Sequence, residues 1–204
     1  MPDVVRTAVL VSGGGSNLGA IFQAQKAGRL SPAQVVLVIS SRAHVKALER
    51  AKEFGVASHV VDPRNYPTEK SSQQALLRDL KEANVRLICL AGYLRRLAPE
   101  LIEAFRGRIL NIHPALLPAF GGAGMYGHHV HEAVLKFGVK ESGCSVHLVD
   151  EEFDHGDVIA QTRIPVLSQD TPETLAARVL EREHELYPKT IAAFANRLIG
   201  AHHD

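Results

Sequence analysis

Residues 111–113 read Asn-Ile-His, at the end of an apolar run and just before Pro114. Two apart in a strand, Asn111 and His113 point to the same face. Alone, His113 would be an ordinary polar residue where a strand stops. Beside an amide that can donate, a ring titrating near neutrality can do more. The pair can hold a developing oxyanion and move a proton. A carboxylate would favour the imidazolium by Coulomb attraction. Asp154 is the candidate, in the segment EEFDHGD between two late strand-like runs. If that hairpin lies beside the strand of Asn111, the carboxylate can meet the imidazole.

A second chemical feature stands near the start, SGGGSNL at 12–18, between an apolar strand and a helix. Glycine allows positive φ and close backbone approach. A helix N-terminus offers unpaired N–H groups and the positive end of the dipole. Gly15, Ser16 and Asn17 therefore read as a phosphate site. The loop lacks the Gly-Lys-Ser/Thr of a nucleoside triphosphate loop. It also departs from the dinucleotide pattern, because Leu18 takes the place of the third glycine. The second strand ends in Ser40-Ser41-Arg42, without the acid that would bind a ribose 2′-hydroxyl, though these residues could hold a 2′-phosphate. An NADP-binding protein therefore stays open as a reading of another class.

The chain has 11 histidines. His128, His129 and His131 cluster, and Asp154, His155 and Asp157 follow, but neither group has a zinc spacing, so no metal is expected. His147 alternates with Val146 and Leu148 and faces away from them, either near the site or into solvent. Cys89 and Cys144 sit in apolar runs and read as buried free thiols.

Elements that could position these groups alternate along the chain. Strand-like runs at 5–11, 34–40, 56–62, 85–91 and 108–112 are separated by helical stretches at 17–25, 43–54, 69–83 and 99–105. Continuous apolar strands between helices predict a mostly parallel, doubly wound, Rossmann-like α/β sheet. Then the pattern changes. A long loop spans 113–127, a helix carries HEAVLKF, and strands at 144–150 and 158–166 suit antiparallel pairing at the sheet edge. Thr171 as N-cap and Pro172 at the first helical position open a last helix to about 197. Ligands of such sheets bind at the carboxyl ends of the strands, where the glycine loop and His113 would share one crevice.

Composition narrows the partners. With 46% apolar residues a packed globule is expected, read as one domain over 1–204. A net charge of +1 points to neither nucleic acid nor an anionic membrane. No apolar run reaches the roughly 18 residues of a membrane span, and the N-terminus has no signal-peptide pattern, so a cytoplasmic protein is expected. The last residues, 202–204, read as a frayed tail.

The segments VLVSGGGSNL, LAGYLRRL, LNIHPALLP, GCSVHLVDEEFDHGDVIAQ and REHELYP occur in this order. Together they resemble the phosphoribosylglycinamide formyltransferase family, from about residue 7 to about residue 190. The N-I-H-P element and later Asp are shared across the wider formyltransferase superfamily, and the S-G-x-G-S-N loop is the more discriminating part. The resemblance implies the formyltransferase fold, with a ribonucleotide phosphate-binding half at about 1–100 and a catalytic and folate half at about 101–200. It implies transfer of a formyl group from 10-formyltetrahydrofolate, as co-substrate, to the amine of glycinamide ribonucleotide in purine synthesis, without metal. It makes Asn111, His113 and Asp154 catalytic, and places phosphate on Gly15, Ser16 and Asn17 and ribose near Glu183. It lays the folate along Leu94, Arg95, Arg96 and Leu97, against Asn111, Asp150 and Asp154. Where the family often has an Arg, this chain has Glu69, with Lys70 next and Arg64 nearby, and Lys70 is the substitute candidate for folate. Leu180 stands where some members are polar, and GGAGMYGHH is a longer segment, expected as a mobile loop near the site. The oligomeric state is left open, a homodimer among the alternatives. A 10-formyltetrahydrofolate hydrolase, with water replacing the amine, is the alternative within the superfamily.

Overall fold

A computed structural model describes residues 3–200. The tail expected at 202–204 lies outside the described residues. The elements run β1 (Val5–Val11), α1 (Ser16–Lys26), β2 (Ala33–Ser40), α2 (Lys46–Glu53), β3 (Ala57–Val60), α3 (Glu69–Glu82), β4 (Leu87–Leu90), α4 (Pro99–Ala104) and β5 (Ile109–His113). They continue with α5 (His128–Phe137), β6 (Glu141–Leu148), β7 (Val158–Pro165) and α6 (Pro172–Gly200).

Seven strands form one sheet in the order β3-β2-β1-β4-β5-β6-β7. The first five pair in parallel, and β6 and β7 add antiparallel at one edge. Alternate residues of β1 go to opposite faces, as a period of two requires. Val5, Val9 and Val11 join Leu18, Phe22 and Ile191 in one core cluster, between the sheet and α1 and α6. Ala8 and Leu10 join Leu76, Leu80 and Leu101 in the other, under α3 and α4. That two-sided burial is why the inner strands read as unbroken apolar runs. Both cysteines are free and buried. Among the described residues no helix is long and apolar enough to cross a membrane.

Among the boundaries that differ from the sequence reading, two lie beside the site. β6 starts at Glu141 and ends at Leu148, earlier than the apolar run suggested. The polar residues Glu141 and Ser142 are strand because β7 supplies their ladder, with Glu141 opposite Pro165 and Ser142 opposite Ile164. α5 starts at His128, three residues before the apolar face. Thr171 does cap α6: its hydroxyl accepts from the Thr174 amide at 3.3 Å.

The strand ends that bear the site are tied to α6 by one side chain. Tyr187 is fully buried, and its hydroxyl reaches the carbonyls of Leu90 at 2.9 Å and Leu110 at 3.1 Å. Those carbonyls end β4 and immediately precede Asn111. Tyr187→Phe should therefore lower unfolding stability by about 1–2 kcal/mol, because two buried carbonyls lose their donor, as measured by urea denaturation.

His131, on α5, is also buried, and its Nδ1 has no hydrogen-bond partner among the described residues. Burial first, then the nearby His128 and His113, pull it down to about 4 from the ordinary imidazole value of 6.5. The folded state thus resists a proton that the unfolded chain accepts. Stability should be full above pH 6.5 and fall as pH drops towards 4, by up to about 3 kcal/mol from this group. His131→Leu should flatten that part of the pH dependence in denaturation midpoints.

Candidate active site

The crossover from β3 back to β4 reverses the winding of the sheet at β1. A crevice opens at such a point, above the carboxyl ends of the strands. The glycine loop leaves β1 here. Gly15 is the N-cap of α1, at φ 67°. A Cβ on Gly15 would stand 2.7 Å from the Ala47 Cβ, so both backbone conformation and space require glycine. The carbonyls of Gly13 and Gly14 are held on the α2 side, by the Ala47 amide at 3.3 Å and Arg50 Nε at 3.2 Å. No side chain caps α1 and no acid lies in its first turn. Its first N–H groups keep the character of an anion site.

Asn17 is buried in that first turn and donates to Glu183 Oε2 of α6 at 2.6 Å. Its own Oδ1 is buried without a hydrogen-bond partner among the described residues. Burial raises the Glu183 carboxyl to about 7, against the stabilising Asn17 hydrogen bond. The predicted phosphate and ribose residues therefore meet as one group, drawn from both ends of the chain.

Ser12, at the root of the loop, pairs with Ser41 at 2.6 Å and accepts from the Leu94 amide at 2.9 Å. Ser40 donates to the Arg42 carbonyl at 2.6 Å. Ser40 and Ser41 are buried and bonded internally, which leaves the exposed Arg42 alone of the three residues that could have held a 2′-phosphate.

Asn111, His113 and Asp154 come together. Asp154 Oδ1 lies 3.4 Å from His113 Nδ1 and 3.4 Å from Asn111 Nδ2. Its other oxygen accepts from the Gly122 amide at 3.0 Å. The loop that brings this amide in packs tightly, since a Cβ on Gly121 would come within 3.1 Å of the Asp154 Cβ. Burial pushes the Asp154 carboxyl up, but the imidazoles of His147 and His113 and the Gly122 N–H outweigh it and hold it below the ordinary value. His113 is lowered: burial disfavours its charge more than Asp154 and the Phe120 carbonyl favour it.

His113 Nε2 lies 2.8 Å from the Phe120 carbonyl. A carbonyl only accepts, so this nitrogen carries a hydrogen. Nδ1 then faces the carboxylate, and the pair can hold one further proton between them.

His147 belongs to the site, and the sequence had left it between site and solvent. It is buried, with Nε2 3.0 Å from Asn111 Nδ2 and 3.4 Å from Asp154 Oδ1. Its Nδ1 donates to the Leu148 carbonyl at 2.7 Å, which leaves Nε2 free to accept from Asn111. The antiparallel register of β5 and β6 sets Asn111 opposite His147. Strand alternation in β6 was the available signal, but the register was not. Phe120 and Gly122 were also missed, since their contacts are made by backbone.

A cleft of about 290 Å³ opens beside this cluster. Leu94, Arg95, Arg96, Leu97 and Asp150 line it with Asn111, His113 and Asp154. The segment of Gly122 to Gly127 forms another wall. Lys70 does not line the cleft. With Glu69 it lines an adjoining groove, because α3 runs behind the 94–97 loop. Arg64 is turned to Asp62, at 2.6 Å. Leu180 is half-buried on α6. Of the clustered histidines, His128 and His129 pair with Glu132 at 3.4 and 3.3 Å.

Residues 5–191 match the family described as Formyl transferase. The chain is 42% identical over 199 residues to the chloroplastic phosphoribosylglycinamide formyltransferase of Arabidopsis thaliana, covering 97% of this chain and 68% of that one. It is 42% identical to the trifunctional purine biosynthetic protein adenosine-3 of Gallus gallus, of whose length it spans 18% while matching 94% of its own. Among solved structures, glycinamide ribonucleotide transformylase 1 from Symbiobacterium toebii superposes with a TM-score of 0.90 at 43% identity, over 96% of this chain and 90% of that one. The phosphoribosylglycinamide formyltransferase of Brucella melitensis gives 0.87 at 42%, over 95% and 96%. With a glycine loop at the end of β1 and a half-buried Asn-His-Asp cluster at the end of β5, the chain belongs to the formyl transferase family, in the branch of the phosphoribosylglycinamide formyltransferases.

Proposed function

We propose that this chain transfers the formyl group of 10-formyltetrahydrofolate to the amine of glycinamide ribonucleotide. The observation that carries the reading is the half-buried Asn111–His113–Asp154 cluster, with His147 behind it, at the wall of an open cleft next to an uncapped glycine-loop helix. The ribonucleotide phosphate sits on Gly15, Ser16 and Asn17. Glu183 accepts from the ribose hydroxyls, beside the unpartnered Asn17 Oδ1. The folate lies along 94–97 and against Asp150. The 1–100 and 101–200 halves thus share both substrates rather than dividing them.

The amine attacks the formyl carbon and charge develops on oxygen. Asn111 gives one hydrogen to His147; the other faces Asp154 at the long distance of 3.4 Å and can turn to that oxygen. His113 has its Nε2 hydrogen on Phe120. This favours a proton-carrying role at the Nδ1 side over direct donation to the oxyanion. The His113–Asp154 pair takes the proton of the attacking amine and returns it to N10 as the folate leaves. No covalent intermediate is required.

The test is 10-formyltetrahydrofolate consumption, followed by absorbance with and without glycinamide ribonucleotide. Consumption is expected only with the ribonucleotide. Equal consumption without it would mean a hydrolase. Asp154→Asn should cut turnover by about 10²–10³ and leave ribonucleotide binding largely intact; equal loss of both would assign Asp154 a folding role.

A pH dependence follows from Glu183. Hydroxyl donors need the carboxylate, and burial keeps part of this group protonated, with its value at about 7. Affinity for the ribonucleotide should rise from pH 6 to pH 8. Glu183→Gln should bind more weakly and lose that part of the slope, as measured by calorimetry.

A further inference from the structure

The two loops that wall the cleft are joined by a bridge that makes no use of the reacting groups. Residues 91–98 run between β4 and α4 with no strand partner for most of their backbone. Gln73, on α3, supplies one. It is buried at 8% exposure, and its Nε2 donates to the Arg96 carbonyl at 3.0 Å while its Oε1 accepts from the Ala98 amide at 3.1 Å. One carboxamide thus satisfies a donor and an acceptor two residues apart, and fixes that stretch of backbone.

From there the Arg96 side chain crosses the mouth of the cleft. Its Nη2 donates to the Glu151 carbonyl at 2.6 Å, and its Cζ lies 5.7 Å from the centre of the Phe153 ring. Glu151 and Phe153 belong to the segment that delivers Asp154. A charged donor on a carbonyl makes a strong hydrogen bond, and the ring face adds attraction for the cation.

We infer that Gln73 and Arg96 are positioning residues that hold the two walls of the cleft at the spacing a flat, pterin-sized ring requires. The inference rests on the folate reading above. It changes the role of Arg96 from a ligand contact to a clasp, and brings in Gln73, which lies outside the cleft lining. The physical ground is pre-organisation: two loops ordered before the ligand arrives cost less to order on binding.

The experiment uses the full chain and 10-formyltetrahydrofolate itself. Its dissociation constant is measured by calorimetry without ribonucleotide, and KM and kcat are measured for both substrates. Gln73→Leu and Arg96→Ala should each weaken 10-formyltetrahydrofolate by about tenfold, the worth of about one hydrogen bond. The KM for ribonucleotide should stay within about twofold. Arg96→Lys, which keeps a charged donor, should recover part of the loss. The double variant should be no weaker than the worse single, because Gln73 acts through the backbone that carries Arg96. If Gln73→Leu fails to fold, by its melting curve, Arg96→Ala on the surface decides alone.

Undiminished affinity in Arg96→Ala overturns the inference and leaves the folate reading standing. Equal rises in both KM values, or additive losses in the double variant, overturn it too. A wild-type chain that neither binds nor consumes 10-formyltetrahydrofolate fails the folate reading first, and the inference with it.

Discussion

A carboxylate that is only 10% exposed must be matched on every side, or it will take up a proton. Asp154 is matched by the Gly122 backbone amide and the Asn111 side chain, with the His113 and His147 rings each 3.4 Å away. These come from three places, the Gly122 loop and the ends of β5 and β6, and the hairpin that carries Asp154 itself is a fourth. Keeping that one charge in the interior therefore demands that all four be assembled at once. Much of the C-terminal part of the structure can be understood as meeting that demand. Asp154 even adopts a left-handed φ of 55°, uncommon for a non-glycine residue, to turn its side chain inward.

The supporting contacts run outward from there. Ser145, one strand residue pair away, accepts from the Leu117 amide at 3.0 Å and donates to the Ala115 carbonyl at 2.6 Å. Gln161 of β7 donates to Ser145 and to the Leu117 carbonyl. The chain leaving His113 is thereby held by side chains of both edge strands. Tyr187 does the same from the opposite layer for β4 and β5. Antiparallel strands at this edge are thus more than a closing device. They place His147 and Ser145 on the face of Asn111 and His113, which a further parallel strand in another register would not do.

The ribonucleotide side follows a different logic. There the backbone is the binding group, so little side-chain chemistry is needed, and the main requirement is close approach. Gly15 meets it by conformation and by the proximity of Ala47. Glu183 is the exception, a buried acid whose one visible partner is Asn17. Its raised value records that the pairing is incomplete.

Much of this was legible in the sequence, because local rules carry it. Strand and helix order, the glycine loop at a helix start, the same-face pairing of Asn111 with His113 and the candidacy of Asp154 all follow from short-range periodicity and residue chemistry. So does the Thr171 cap. What the sequence could not decide is what depends on register and on approach between distant segments. The solvent or site choice for His147 is settled by one β5–β6 pairing. The polar start of β6 is strand only because β7 lies beside it. Lys70 is set apart from the cleft by the path of α3. The tautomer of His113 is set by the carbonyl of Phe120, a contact that no side-chain pattern encodes. Residue types determine which chemistry is available, since charge, donor and acceptor belong to the side chain itself. Tertiary structure decides which of those groups leave water together, and only there do their protons and distances become defined.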